Sequence, residues 1–280
     1  MPVVLQVFLG FLVCAALALT VYAVVLRRRR AGRRRAWLES APFPPAWGAI
    51  LRRNMPAYRR MPGDSRERLE RKVMRFLSEK TFEACGGLRR VTDEMAVTIA
   101  GHACLLIVGR AGDAAYPWLS TVLVYPDSFH STAEAREAGP DGVRSGGGEA
   151  RVGESDARGA VALSWLEIRN NVAFAGNGRN VILHEFAHQL DGEDAAVDGA
   201  PWLASPAARE AWRRDMGAAY AALRETGEHG VLDPYGAREP AELFAVSVEA
   251  FFEDARRFRE AHPDLHAHFV KYFGVDPAAW

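Results

Sequence analysis

The run Val181-Ile182-Leu183-His184-Glu185-Phe186-Ala187-His188-Gln189-Leu190 constrains the fold more than any other stretch of this 280-residue chain. Apolar residues fill most of its positions, which predicts a helix buried in a core. Residues four apart lie on one face of a helix. His184 and His188 therefore present two imidazoles to one metal ion. If that ion is zinc, each nitrogen lies about 2.0–2.1 Å from it. Glu185 sits about 100° further round, off the metal and free to act on a water that the metal activates.

Two histidines rarely complete such a site, because a catalytic zinc takes three protein ligands and keeps one position open. Three acids compete for the vacancy. Asp191 continues the histidine face at i+7, but its short side chain suits it better to orienting a histidine from behind. Glu242 and Glu249 share one face of a second apolar helix that opens at Pro240, among Leu243, Phe244, Val246, Phe251 and Phe252. Buried carboxylates need partners, and a cation serves. Spacing does not choose between them.

The N-terminus predicts a membrane segment. Val3 to Leu26 is an uncharged stretch of 24 residues, about 36 Å as a helix, against a hydrocarbon core of roughly 30 Å. Seven arginines follow between Arg27 and Arg35. That order is wrong for a cleaved signal peptide. It predicts residues 1–26 as a single-pass anchor, embedded through residues 3–26 in the inner membrane, with the remainder in the cytoplasm. Residues 27–60, with Pro42, Pro44, Pro45 and Pro56, read as a basic juxtamembrane linker in which Trp37 and Trp47 meet the interfacial layer. Residues 61–280 form the folded domain. Beyond residue 80 the chain holds 18 basic and 30 acidic side chains, which argues against nucleic acid as a partner. Cys14, Cys85 and Cys104 make neither a disulfide framework nor a metal-binding spacing.

Along the domain, Asp64-Ser65-Arg66-Glu67 has the form of a capping box, with Leu69, Val73, Phe76 and Leu77 following at helical spacing. Thr92-Asp93-Glu94 starts another helix that runs on through an apolar stretch to Val108, with His102 as a core residue. Leu119–Tyr125 and Val161–Ile168 read as strands, the second a candidate for backbone pairing with an extended substrate. Residues 131–160 are a Gly-rich loop, and Asn177-Gly178 turns the chain into the metal helix. Further helices begin at Ser205-Pro206, at Pro240 and near Asp264. His262 and His266 are also i,i+4 but lack the glutamate, so a second metal site is not expected. The fold class is α+β: a mostly helical, zincin-like domain with a small sheet, preceded by one transmembrane helix.

His184-Glu185-Phe186-Ala187-His188-Gln189-Leu190-Asp191, with Asp233-Pro234-Tyr235-Gly236 and Pro240-Ala241-Glu242-Leu243-Phe244-Ala245, resembles the Mlc titration factor A family of zinc metallopeptidases. That family is related at its active site to anthrax lethal factor. Phe82–Leu88 and Leu163-Ser164-Trp165 match its style too, so the likeness spans about residues 40–275. The resemblance implies that Glu242 is the third ligand of one zinc ion per chain and that Tyr235 stabilises the transition state. It implies a peptide or protein substrate, with aminopeptidase-like cleavage in which Glu185 is the general base. It also brings an alternative: a regulatory protein that sequesters a cytoplasmic transcriptional repressor. The N-terminal anchor departs from the best-known members, and Glu239 stands where a better helix cap is usual.

Overall fold

A computed structural model describes Tyr22 and residues 41–112, 116–127, 159–194, 197–226 and 230–280. Phe43–Trp280 forms one compact unit. The predicted anchor lies outside the described residues, apart from Tyr22. Among the described residues no helix is long and apolar enough to cross a membrane. The Gly-rich loop likewise falls outside them up to residue 158.

The chain enters the core earlier than its prolines suggest. Helices α1 (Pro45–Asn54) and α2 (Pro56–Arg60) occupy what was expected to be linker. Both begin at a proline, whose fixed φ and missing N–H suit the first helical position. Leu51, Met55, Tyr58 and Met61 are buried, and Trp47 packs against the core rather than facing a membrane. Helix α3 (Gly63–Glu79) buries Leu69, Val73, Phe76 and Leu77 as expected. The capping box does not form: Pro62 is the N-cap and no side chain caps the helix, while Asp64 accepts from Arg68 instead (2.8 Å).

Strand β1 (Thr81–Ala84) leads to α4 (Asp93–Leu105), which Thr92 caps by accepting from the Met95 N–H. Helix α4 is buried almost throughout. His102 is a core residue, its Nδ1 3.0 Å from the Thr98 carbonyl oxygen. Strands β2 (Thr121–Tyr125) and β3 (Ala160–Ser164) complete a parallel sheet in the order β1-β2-β3. Thr81 lies opposite Thr121, and Thr121 opposite Ala160. The third strand is shorter than predicted. Ser164 accepts from the Glu167 N–H (3.2 Å), and this cap turns Trp165–Ala173 into helix α5. Ser164-Trp165-Leu166-Glu167 carries the S-x-x-E signature of a helix start, which outweighs the β-like composition after it.

The remainder is helical: α6 (Val181–Asp191), α7 (Pro206–Thr226), α8 (Pro240–Glu253), α9 (Ala255–Ala261) and α10 (Pro263–Phe273). Ser205 caps α7 as expected, accepting from the Ala208 N–H. Trp212, Met216 and Leu223 point from α7 into the core. Helix α8 is buried on every side from Ala241 to Phe252, apolar but for Glu242, Ser247 and Glu249. Phe244 and Phe251 pack with Phe269 and Trp212 in an aromatic cluster that ties α8 to α7 and α10. The chain is therefore α+β and mostly helical, with one small sheet. Helix α6 and the deeply buried α8 pack on each other.

Candidate metal centre

Helix α6 starts cleanly. Asn180 caps it, its Oδ1 accepting from the N–H groups of Ile182 and Leu183 (3.1 and 3.2 Å), and the Asn171 side chain accepts from Val181 (2.9 Å). Ile182, Leu183, Phe186, Ala187 and Leu190 are buried, which fixes the rotation of the helix. The remaining face carries His184 and His188 toward α8. Helical spacing brings their Nε2 atoms to 3.2 Å.

The structure resolves the choice that spacing left open. Glu242, in the first turn of α8, places Oε2 3.0 Å from His184 Nε2 and 3.7 Å from His188 Nε2. A tetrahedral zinc with ligands at about 2.0–2.1 Å has ligand-to-ligand edges of about 3.3 Å. These three atoms form a triangle of that size. Glu242 Oε2 is sealed from solvent and takes no hydrogen bond of acceptable geometry, a costly arrangement unless a cation completes it. Among the described residues this is the one group of His, Cys, Asp or Glu side chains arranged to hold a metal ion. His266 meets Asp276 instead (3.1 Å) and joins no second cluster.

Glu249 acts from behind. Its Oε1 lies 2.8 Å from His184 Nδ1. A carboxylate only accepts, so Nδ1 carries the proton and Nε2 keeps its lone pair for the site. The other oxygen of Glu249 accepts the Asn180 backbone N–H in a short contact. Glu253, one turn on, accepts from Asn180 Nδ2 (2.8 Å) and from the Gly176 N–H (3.0 Å). The cap of the metal helix and the orientation of its first histidine are thus held by two carboxylates of α8. Asp191, expected to orient a histidine, does something else. It accepts from the amides of Gly199 (3.0 Å) and Ala200 (3.0 Å), pinning the loop beyond α6. Gly199 has φ +77° and lies so close to Pro240 that a Cβ there would meet its carbonyl oxygen at 2.3 Å. The loop is therefore seated against the start of α8.

Electrostatics follow from this crowding. Burial alone would raise the Glu242 carboxyl, but the two imidazoles beside it outweigh that and hold it at about 2. For His184, burial opposes protonation, yet Glu242 and Glu249 push its pKa well above the ordinary imidazole value. A proton and a metal ion thus compete for the same nitrogen. Burial raises the Glu185 carboxyl, with His184 and His188 opposing.

Tyr235 lies in a 3₁₀ turn, Pro234–Ala237, whose start Asp233 caps by accepting from the Tyr235 N–H (2.9 Å). Asp233 also pairs with Arg179, tying the turn to the loop before α6. Gly236 lets the turn settle on α8: a Cβ there would come within 2.7 Å of Val246 Cγ2. The Tyr235 ring is 5.9 Å from the His184 ring, centre to centre. Burial and the nearby Glu242 raise its hydroxyl to about 12, so it remains a hydrogen-bond donor at neutral pH. Sequence reasoning weighed Glu249 only as a ligand and overlooked Asn180 and Glu253. Asn180 had a legible signal, an Asn directly before an apolar helix; Glu253 had none.

Residues 27–274 match the model of the glucose-regulated metallo-peptidase M90 family. The chain is 38% identical over 242 residues to the uncharacterized protein slr2042 of Synechocystis sp. (strain ATCC 27184 / PCC 6803 / Kazusa), covering 84% of this chain and 86% of that one. It is 31% identical over 250 residues to the Mlc titration factor A of Edwardsiella ictaluri, covering 85% and 89%. A similar protein of that name from Cronobacter sakazakii is 31% identical over 248 residues, covering 85% and 88%. With two histidines and a glutamate converging as a metallopeptidase requires, the chain belongs to the glucose-regulated metallo-peptidase M90 family.

Proposed function

We propose that this protein is a zinc-dependent peptidase, with His184, His188 and Glu242 as the metal ligands and Glu185 as general base. The convergence of three ligand atoms from α6 and α8 carries the reading. Zinc, when bound, supplies Lewis acidity and lowers the pKa of water to about 7. Glu185 takes the proton from the attacking water and delivers it to the leaving amine nitrogen, so the peptide C–N bond breaks as the new C–O bond forms. Its raised pKa suits a group that must both accept and return a proton. The Tyr235 hydroxyl donates to the oxyanion that develops on the carbonyl. Glu249 keeps His184 turned toward the site. Among the described residues β3 is an edge strand of the sheet and offers backbone groups to an extended substrate, and the cleavage proposed is aminopeptidase-like, as the family resemblance implies.

We place the domain on the cytoplasmic side of the inner membrane, tethered through residues 3–26. The uncharged stretch and the arginines after it support this. A second reading draws on the name of its relatives, Mlc titration factor A: the chain sequesters a transcriptional repressor and hydrolysis is secondary.

One variant separates the readings. Glu185→Gln is expected to leave zinc per chain at one and reduce peptide hydrolysis below a few per cent of wild type. Hydrolysis that survives above that level overturns the assignment of the base. A cellular phenotype that persists in the inactive variant makes repressor binding the main role.

A further inference from the structure

Arg238 takes no part in the chemistry above, yet it stands beside it. It closes the 3₁₀ turn that carries Tyr235. Its Cζ lies 4.3 Å from the centre of the Tyr235 ring, a cation–π stack. Its backbone carbonyl accepts from the Tyr220 hydroxyl of α7 (3.1 Å). The residue is therefore anchored at its backbone with its cationic head over an aromatic ring, while its side chain is exposed. Among the described residues no carboxylate pairs with its guanidinium, although Arg53, Arg68, Arg75, Arg110, Arg179, Arg214 and Arg257 each meet one.

Position gives this cation a use. The Tyr235 ring that Arg238 covers is itself 5.9 Å from the His184 imidazole, so the guanidinium is within about 10 Å of a metal-ligand ring. An extended peptide spans about 3.3–3.6 Å per residue. A substrate whose scissile bond reaches Glu185 and which runs toward the Tyr235 turn therefore meets the guanidinium within about three residues of that bond. A guanidinium is planar and presents its N–H groups as a fixed fork, which suits a carboxylate. We propose that Arg238 is a specificity-determining residue, which pairs with a substrate carboxylate placed up to three residues from the scissile bond. That carboxylate belongs either to an acidic side chain or to the C-terminus of a short peptide. The inference rests on the peptidase reading.

The test compares matched peptides with the full-length zinc-loaded protein. One series carries Glu or Gln at each of the three positions on either side of the scissile bond. The other ends in a free carboxylate or an amide. Wild type is expected to favour the carboxylate member of at least one pair by about fivefold in kcat/KM, the upper range for a solvent-reached ion pair. Arg238→Gln brings that ratio to near one and Arg238→Glu inverts it. The responding series tells side chain from terminus. A wild type without preference overturns the proposal. So does an unchanged ratio in Arg238→Gln with both peptides slowed alike, the signature of a residue that only supports Tyr235. Anisotropy of the same peptides, labelled, on Glu185→Gln gives a readout without turnover. Charge-dependent binding that disappears in Glu185→Gln/Arg238→Gln supports Arg238 even if wild type hydrolyses nothing. Binding indifferent to charge overturns it.

Discussion

The metal helix meets a buried carboxylate at each end, and the two have opposite duties. Glu249, near its N-terminus, meets an imidazole nitrogen and the cap amide. Asp191, at its C-terminus, meets the amides of Gly199 and Ala200. Both are almost wholly hidden from solvent. Spacing along α6 favoured Asp191 as the group behind a histidine, whereas the chain delivers that group from another helix, 65 residues away. Burial shows that a carboxylate has a partner; the identity of the partner decides whether it serves chemistry or the fold.

The sharpest break comes from removing Glu249. Glu249→Ala frees His184 Nδ1 and is expected to weaken zinc binding by about 10- to 100-fold, read by competition with a chelator. If affinity stays unchanged, the orienting role is wrong. Asp191→Ala should do the reverse. It leaves two buried amides without an acceptor and costs about 2–4 kcal/mol of stability in denaturant unfolding, while zinc affinity changes less than threefold.

A pH series on the metal-free protein refines the contrast. Burial lifts the folded Asp191 carboxyl from 3.8 to about 6. Between those values the folded state binds more protons than the unfolded one, so this group's stabilising contribution is full below about pH 4. It is lost as pH rises to about 6, and changes little beyond. The decline is at most about 3 kcal/mol. Asp191→Asn should flatten that part of the melting-temperature profile; an unaltered slope assigns it to other groups. The smallest effect belongs to Glu253→Ala, which removes the acceptor for Asn180 Nδ2 and Gly176. It is expected to cost about 1 kcal/mol and to lower zinc affinity by less than Glu249→Ala does.

Local signals were read well where local physics decides. Ser205-Pro206, Thr92 and Pro240 begin helices because caps and proline act within one turn. The closeness of His184 and His188 was legible because a helix alone sets an i,i+4 distance. Two readings failed on the same kind of evidence. Prolines taken as breakers at Pro45 and Pro56 sit at first helical positions, and Trp165–Ile168, apolar and apparently β, follow a capping Ser164. In both places a start signal was present and its surroundings were weighed more heavily.

The juxtaposition of His184 and His188 could be read from nearby letters, because the α-helix turns sequence separation into fixed geometry. Whether Glu242 or Glu249 reaches the metal depends on how α8 is rotated and shifted against α6. Those two degrees of freedom are set by packing of Phe244, Phe251, Leu183 and Phe186 across the whole core. Two turns of α8 separate a residue facing both histidines from one behind His184 on the same face only after that packing exists. Side chains distant in the chain acquire their roles from the tertiary structure, since no short-range rule ties their positions together.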